Sequence, residues 1–333
     1  PEDKALVVYG MDDIDHWERV MFISLQGIAN RDSGRIYLII DGQNDELWLN
    51  WYKDQYGLKT EVLQDPYELF KYEWPITGYV RMDPQKKHSA NLAANYASVR
   101  DLLAVTDEIL SANKQQMPEK AVVMDPAAKL VDKSAFDAYS WAYFNQWKKL
   151  GFNRSVLANT MAPDESLSPF YQAQHIRDYV ISKRGFMFEL SARPEHKHEY
   201  RLREAIFDDA PDWSFMMGCN VERDRKRHQV VQASRHKLLV LCSNTCPNFS
   251  FHQHIKPDEA DYRQKHLVRS ADEVELEEDK VYLSFLFCDG HSLNRLCRAA
   301  HERRWPNRGK IPAGWGMQPL MLDVAPGILD YFY

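Results

Sequence analysis

The chain has 333 residues, of which 44 % are hydrophobic and 27 % charged, with a formal net charge of −6. This length can bury a large core and points to about two domains. The acidic balance gives no reason to expect nucleic acid or an anionic membrane as partner, and no apolar run approaches the roughly 18 residues of a membrane span.

Local charge runs, basic over 223–228 and 301–310 and acidic over 272–279, read as solvated faces. The chain starts at Pro1, with neither Met nor a signal peptide, as a mature, trimmed or expressed product would. The cysteines Cys219, Cys242, Cys246, Cys288 and Cys297 form no CxxC pair, so a zinc ribbon is not expected. Their odd number fits free core thiols, or disulfides with one cysteine left over. Two sequons, Asn153-Arg-Ser and Asn248-Phe-Ser, are near chance and argue little for secretion. Aromatic residues reach 12 %, and such side chains both fill large cores and stack on sugar rings.

The predicted elements begin with a strand at Ala5–Tyr9 that stops at Gly10. Asp12–Asn30 has helical periodicity, with Val20, Ile23, Leu25 and Ile28 among its apolar positions. A strand at Arg35–Ile40, a helix at Asp45–Tyr56 and a short strand at Lys59–Leu63 follow. This βαβαβ pattern predicts a small parallel α/β domain over residues 1–77. Its first turn has one glycine and no GxGxxG, so a dinucleotide site is poorly supported, and no cofactor is called for.

From Gly78 the alternation continues. Strands are predicted at Tyr79–Met82, Ala121–Met124, Ser155–Ala158, Phe186–Glu189, Ser214–Met217, Leu238–Leu241, Val281–Cys288 and Ile311–Trp315. Helices are predicted at Ala90–Leu110, Ser134–Leu150, Tyr171–Ser182, Lys197–Phe207, Val221–Ser234 and Ser292–Arg303. This predicts a TIM-like (β/α) barrel of seven or eight strands over residues 78–333. The long connection Ser243–Lys280 has the length of a lid or binding loop.

In a parallel barrel the active site forms where the strands end. The predicted ends carry Asp83, Asp125, Asn159 with Thr160, Glu189, Cys219 with Asn220 and then Glu222, Ser243 with Asn244, Asp289 with His291, and Trp315 followed by Gln318. The strand Val281–Cys288 reads as buried on both faces, and Gly290 lets the chain turn tightly behind Asp289. Asp289 and His291 then suit an acid/base pair, while the plainer reading makes Asp289 the N-cap of the following helix. A third reading uses metal. His252-Gln-His254 would face one side of a strand and, with Asp289, suit a metal-dependent hydrolase or deacetylase. No HExxH or comparable signature supports it.

Several stretches resemble the GxGYxYP family, which is associated with glycoside hydrolysis. They are Ser24–Arg31 with Arg35–Leu38, Ser89–Val105, Asp137–Gln146 (DAYSWAYFNQ), Ile176–Tyr179, Asn248-Phe-Ser, Asp289-Gly290, the run Arg308-Gly-Lys-Ile-Pro-Ala-Gly-Trp315, and Pro319–Tyr333. The resemblance covers nearly the whole chain. It implies a small N-terminal α/β domain before a barrel-like domain acting on carbohydrate, and with that a secreted, extracellular protein. Two departures stand out. The family shows Asp-Gly-Asp-Asn where this chain has Asp289-Gly290-His291-Ser292. The GxGYxYP motif, placed by the family beyond the segment that here ends at Tyr333, is absent, which implies a truncated chain or a cleft without that part.

The leading expectation is a glycoside hydrolase acting on a polysaccharide or oligosaccharide through paired carboxyl groups. Asp289 is nominated as one, with Glu222 or Glu189 as its partner. Trp315 would stack on a sugar ring, with His291, Asn248, Asn244, Asp125 and Gln318 completing substrate binding. The rival is a non-catalytic carbohydrate-binding or assembly protein on a degenerated barrel. Neither sugar, linkage nor oligomeric state follows from the sequence.

Overall fold

A computed structural model describes residues 5–130, 134–163, 176–218, 226–241, 246–257, 277–287, 307, 310 and 314–332. The chain is wound three times in the same order. In the first winding, β1 (Leu6–Gly10) runs through α1 (His16–Ala29) to β2 (Ile36–Ile39), then through α2 (Gln43–Tyr56) to β3 (Thr60–Val62). All pairs are parallel and the strand order is β2-β1-β3. The second winding repeats this with β4 (Gly78–Arg81), α3 (His88–Arg100), β5 (Leu102–Val105), α4 (Asp107–Ala112) and β6 (Val122–Met124), in the order β5-β4-β6. After α5 (Ala135–Ala142) comes the third: β7 (Val156–Asn159), α6 (Arg177–Ser182), β8 (Phe186–Phe188), α7 (Lys197–Asp208), β9 (Phe215–Met217), α8 (Lys226–Arg235) and β10 (Leu239–Leu241). Its order is β10-β9-β7-β8. Each time the first strand lies inside, the second on one flank and the third on the other. The sequence shows no repeat, yet the winding does.

Strand alternation distributes side chains between separate cores. Leu6, Val8 and Tyr37 face one apolar cluster, while Val7, Ile36 and Leu38 face another. Likewise Val156, Ala158, Met187 and Met217 join the first cluster, while Leu157, Phe186, Phe188 and Met216 join a third.

The crossover helices α1, α3 and α6 pack against one another between the sheets. Gly27 permits the α1–α6 crossing, because a Cβ there would lie 2.6 Å from the Asp178 carbonyl oxygen and 2.7 Å from the Ile181 Cβ. A helix buried all round cannot leave polar groups unpaired without cost, so those it carries act as cross-links. Asn95 of α3 accepts from the Met187 N–H at 2.7 Å and donates to the Met187 carbonyl at 3.0 Å. Ser98 donates to the Gly185 carbonyl at 2.7 Å. Arg31, just beyond α1, donates to the carbonyls of Ala97 and Ser98.

Beyond the third winding come α9 (Phe249–His252), a two-stranded parallel ladder of β11 (Leu286–Phe287) and β12 (Gly314–Trp315), α10 (Met321–Val324) and α11 (Pro326–Phe332). Met321, Val324, Ile328 and Leu329 pack into the cluster that holds Trp48 and Tyr52 of α2.

Three predictions are corrected. The described strands expected to form a barrel fall into three open sheets, and no sheet among the described residues closes. Edge strands whose neighbours are helices or other sheets do not continue the ladder. The helix predicted over Ala90–Leu110 stops at Arg100, where Asp101 turns left-handed at φ 56°, and Leu102–Val105 is a fully buried strand. The described part of the run Val281–Cys288, residues 281–287, is not a doubly buried strand: within it only Leu286–Phe287 pair, and Val281 is 87 % exposed.

Candidate active site

Parallel strands end together, so their C-terminal edge gathers loop backbone and polar side chains into one crevice. In the third sheet this edge is met by the N-terminus of α3 from the second winding. Glu189 follows β8 directly and is only 2 % exposed. Its Oε2 accepts from the Ala162 N–H at 3.0 Å and lies 3.5 Å from the Nδ1 of His88, the first residue of α3. The His88 ring meets the Tyr139 ring edge-on at 5.4 Å. The Tyr139 hydroxyl lies 3.4 Å from the same Nδ1 and accepts from the Asn91 amide at 2.9 Å. Asn91 also donates to the Thr160 carbonyl at 3.2 Å and accepts from Arg177 Nη2 at 2.8 Å. Arg177 further donates to the Ala90 carbonyl, and complete burial pushes its guanidinium down to about 10.

The loop behind Glu189 is fixed in the same manner. Asn159, at the end of β7, accepts from the Leu190 N–H at 3.0 Å and donates to the Leu190 carbonyl at 3.2 Å. Arg203 donates to that carbonyl at 2.9 Å, and Glu199 accepts from the Ser191 N–H at 2.6 Å. Gly218, which closes β9, has φ 74°, and a Cβ there would lie 2.7 Å from the Asn159 carbonyl oxygen. Only glycine satisfies both demands. The result is a carboxylate, an imidazole and a phenol held in register in a place with little water, which is what proton transfer needs.

The remaining nominated residues are dispersed. Asp125 sits at the end of β6, its carboxylate 2.8 Å from Arg81 Nη1 and accepting from the Ala128 N–H at 3.0 Å. The Asp83 carboxylate accepts from the Gln85 N–H and lies 3.5 Å from Lys86 Nζ. Asn248 is fully buried, with φ 64°, and grips the edge of β2: it accepts from the Leu38 N–H at 3.0 Å, donates to the Leu38 carbonyl at 2.7 Å and accepts from Gln26 at 2.6 Å. Its sequon is therefore inaccessible in the folded chain, whereas Asn153 is exposed. Trp315 pairs through its backbone with Phe287, and Gln318 precedes α10. Asp289, Glu222, His291 and Asn244 lie outside the described residues.

His252 and His254 do not converge. They lie at the end of α9 and just beyond it rather than on a strand. The His252 Nδ1 lies 2.8 Å from the Tyr52 hydroxyl, and burial lowers its pKa to about 3. The His254 Nε2 lies 2.7 Å from the Asn30 carbonyl. Among the described residues no three His, Cys, Asp or Glu side chains gather as metal ligands, and no helix is long and apolar enough to cross a membrane.

His88, Asn91, Tyr139 and Arg177 were not anticipated as site residues. All but His88, which immediately precedes Ser89, fall within the stretches Ser89–Val105, Asp137–Gln146 and Ile176–Tyr179 that carry the family resemblance.

Fold and rim together define a mixed α/β protein of tandem parallel sheets, with a buried carboxylate, Glu189, at a strand end of the third. The chain belongs to the GxGYxYP family. Profiles of the family's first, second and third domains match residues 5–72, 76–150 and 156–254, one for each winding. A fourth, described as "GxGYxYP putative glycoside hydrolase C-terminal domain", matches residues 279–333. The chain is also similar, at 21 % identity and a TM-score of 0.77, to the crystal structure of "a putative hydrolase from Bacteroides thetaiotaomicron VPI-5482". That likeness covers 99 % of this chain and 60 % of the other, so this chain spans about 60 % of that protein's length. No curated protein matches it.

Proposed function

We propose that the protein is a carbohydrate-active hydrolase whose working carboxylate is Glu189. The observation that carries this reading is the Glu189–His88–Tyr139 cluster at the C-terminal rim of the third sheet, in a chain whose family is associated with glycoside hydrolysis.

Glycoside hydrolysis uses two carboxyl groups, one protonated to donate to the leaving oxygen and one ionised as nucleophile or base. Glu189 suits the ionised role. A backbone N–H donates to its Oε2, and the same oxygen lies 3.5 Å from His88 Nδ1, which holds the carboxylate in place. The second carboxyl group is assigned to Asp289, with Glu222 as alternative. Tyr139 meets His88 at the same Nδ1, and Asn91 fixes Tyr139. Sugar contacts are assigned to Trp315, His291, Asn244 and Gln318. The proposal includes a protein that meets its glycan outside the cell.

Release of new reducing ends from a panel of neutral and acidic polysaccharides tests it. Hydrolysis of at least one glycan supports the reading. Glycan binding with no bond broken would favour instead a non-catalytic carbohydrate-binding protein, the reading suggested by His291 standing where the family has an acidic residue.

A further inference from the structure

The opposite edge of the third sheet holds a cavity of about 400 Å³, where β7 and β9 begin. It lies within the range of small-ligand sites. Its polar groups are arranged unlike those of the catalytic rim.

Trp213, in the turn that enters β9, is 66 % exposed although it lines the cavity. Its backbone is held left-handed at φ 67°, with its N–H donating to the Lys237 carbonyl at 2.9 Å. Such a conformation is unfavourable for a non-glycine residue. The strain presents a large flat ring to solvent at the cavity mouth.

Lys183 and Lys256 line the same cavity. The ammonium of Lys183 sits 5.6 Å above the Tyr179 ring, and burial together with Lys256 lowers its pKa. Two cations thus face one hollow, with Asp323 as the acidic side chain lining it. Gln253 closes the floor. Its amide nitrogen donates to Ser182 Oγ at 3.2 Å and to the Ser250 carbonyl at 2.9 Å, while its Oε1 is buried without a hydrogen bond.

We propose that this cavity binds an acidic saccharide, with a carboxylate or sulfate between Lys183 and Lys256 and a pyranose face on the Trp213 indole. An anion relieves the repulsion between the two ammonium groups, and the CH-rich face of a pyranose suits an exposed ring. The choice of saccharide over other anions rests on the proposed carbohydrate activity. The preference for negative charge rests on the lysines alone.

Calorimetric titration of the full chain with oligogalacturonate, a sulfated heparin oligosaccharide, a neutral cello-oligosaccharide and inorganic sulfate tests it. At least one acidic oligosaccharide should bind ten times or more tightly than the neutral one, and more weakly as salt rises. The uronate and sulfate arms identify which anion the lysines hold. W213A and the double variant K183Q/K256Q should each weaken that binding by tenfold or more while near-ultraviolet circular dichroism stays native. Glu189→Gln should bind the same ligand as tightly as wild type, so failure of the catalytic reading leaves this result standing. Equal affinity for neutral and acidic sugars, unchanged binding by both variants, or sulfate binding as tightly as the oligosaccharide would each overturn the proposal.

Discussion

The two ends of the third sheet are built from the same strands and are proposed to do opposite things. At the C-terminal end, side chains from α3, α5 and α6 lock Glu189 and His88 into a chain of hydrogen bonds with little exposure. At the N-terminal end, Trp213 is held out into solvent and Gln253 keeps an acceptor unmatched. The difference teaches where each task can be placed. Proton transfer needs groups that do not move, and the rigid centre of three packed helices supplies them. Capture of a ligand needs surface that is not already satisfied, and the outer edge supplies that.

This contrast predicts that losing a rim side chain removes turnover and leaves ligand binding at the outer cavity intact, although α6, which carries Tyr179, is shared by both. Among the residues that support Glu189, His88→Asn should give the largest effect. It should lower kcat by about 10- to 100-fold with a smaller change in KM, and flatten the limb of the pH–rate profile that the imidazole sets. Acidic-saccharide binding at the outer cavity should be unchanged. A variant with wild-type kinetics would reduce the rim to a structural cross-link.

Asn95→Ala comes next. It leaves the N–H and carbonyl of Met187 unpaired, two residues before Glu189, and should cost about 2–4 kcal/mol in chemical denaturation. A cost of only a few tenths would show that the inner helices do not hold β8.

Asp178→Asn probes the same frame through pH. Burial raises the Asp178 carboxyl to about 6, although its Oδ2 accepts from the Ser250 N–H at 2.8 Å. An acid whose folded pKa lies above its unfolded value of about 3.9 favours folding below that value, and the contribution is lost as pH rises through about 6. The asparagine can keep the hydrogen bond without the charge. The stability of the variant relative to wild type should therefore rise by about 1–3 kcal/mol between pH 4 and pH 7. A constant difference across that window would contradict the assignment. His252, lowered to about 3, acts in the reverse sense in both proteins: its contribution is present above about 6.5 and fades as pH falls towards 3.

Gly27→Ala should have a similar or smaller effect, about 1–3 kcal/mol, by forcing α1 and α6 apart.

Much of the strand inventory was legible in the sequence. Runs such as Val156–Asn159 and Phe186–Phe188 are apolar, short and bounded by turn residues, and they lie within a residue or so of where they were predicted. What the runs cannot show is which neighbours they pair with, so strands of three open sheets read equally well as one barrel. Helix α3 hid its end because nothing in Arg100-Asp101-Leu102 marks Asp101 as left-handed, and the strand behind it continued the apolar pattern. Glu189 was legible as a polar residue at the end of a buried strand. Its companions were not. His88 and Arg177 come from different windings, and only the packing of α3 on α6 and β8 brings them near Glu189. Asn248 misled in the opposite sense, since a polar side chain in a long connection can bind a sheet edge as readily as a sugar.

The central claim is that Glu189 is the working carboxylate of a carbohydrate-active site. Its most direct test compares Glu189→Gln with wild type for turnover of the glycan that the wild-type chain cleaves best, alongside thermal unfolding. The account predicts a loss of at least 100-fold in kcat with the folded state and acidic-saccharide binding retained. Turnover within a few-fold of wild type would contradict it and move the chemistry elsewhere on the chain.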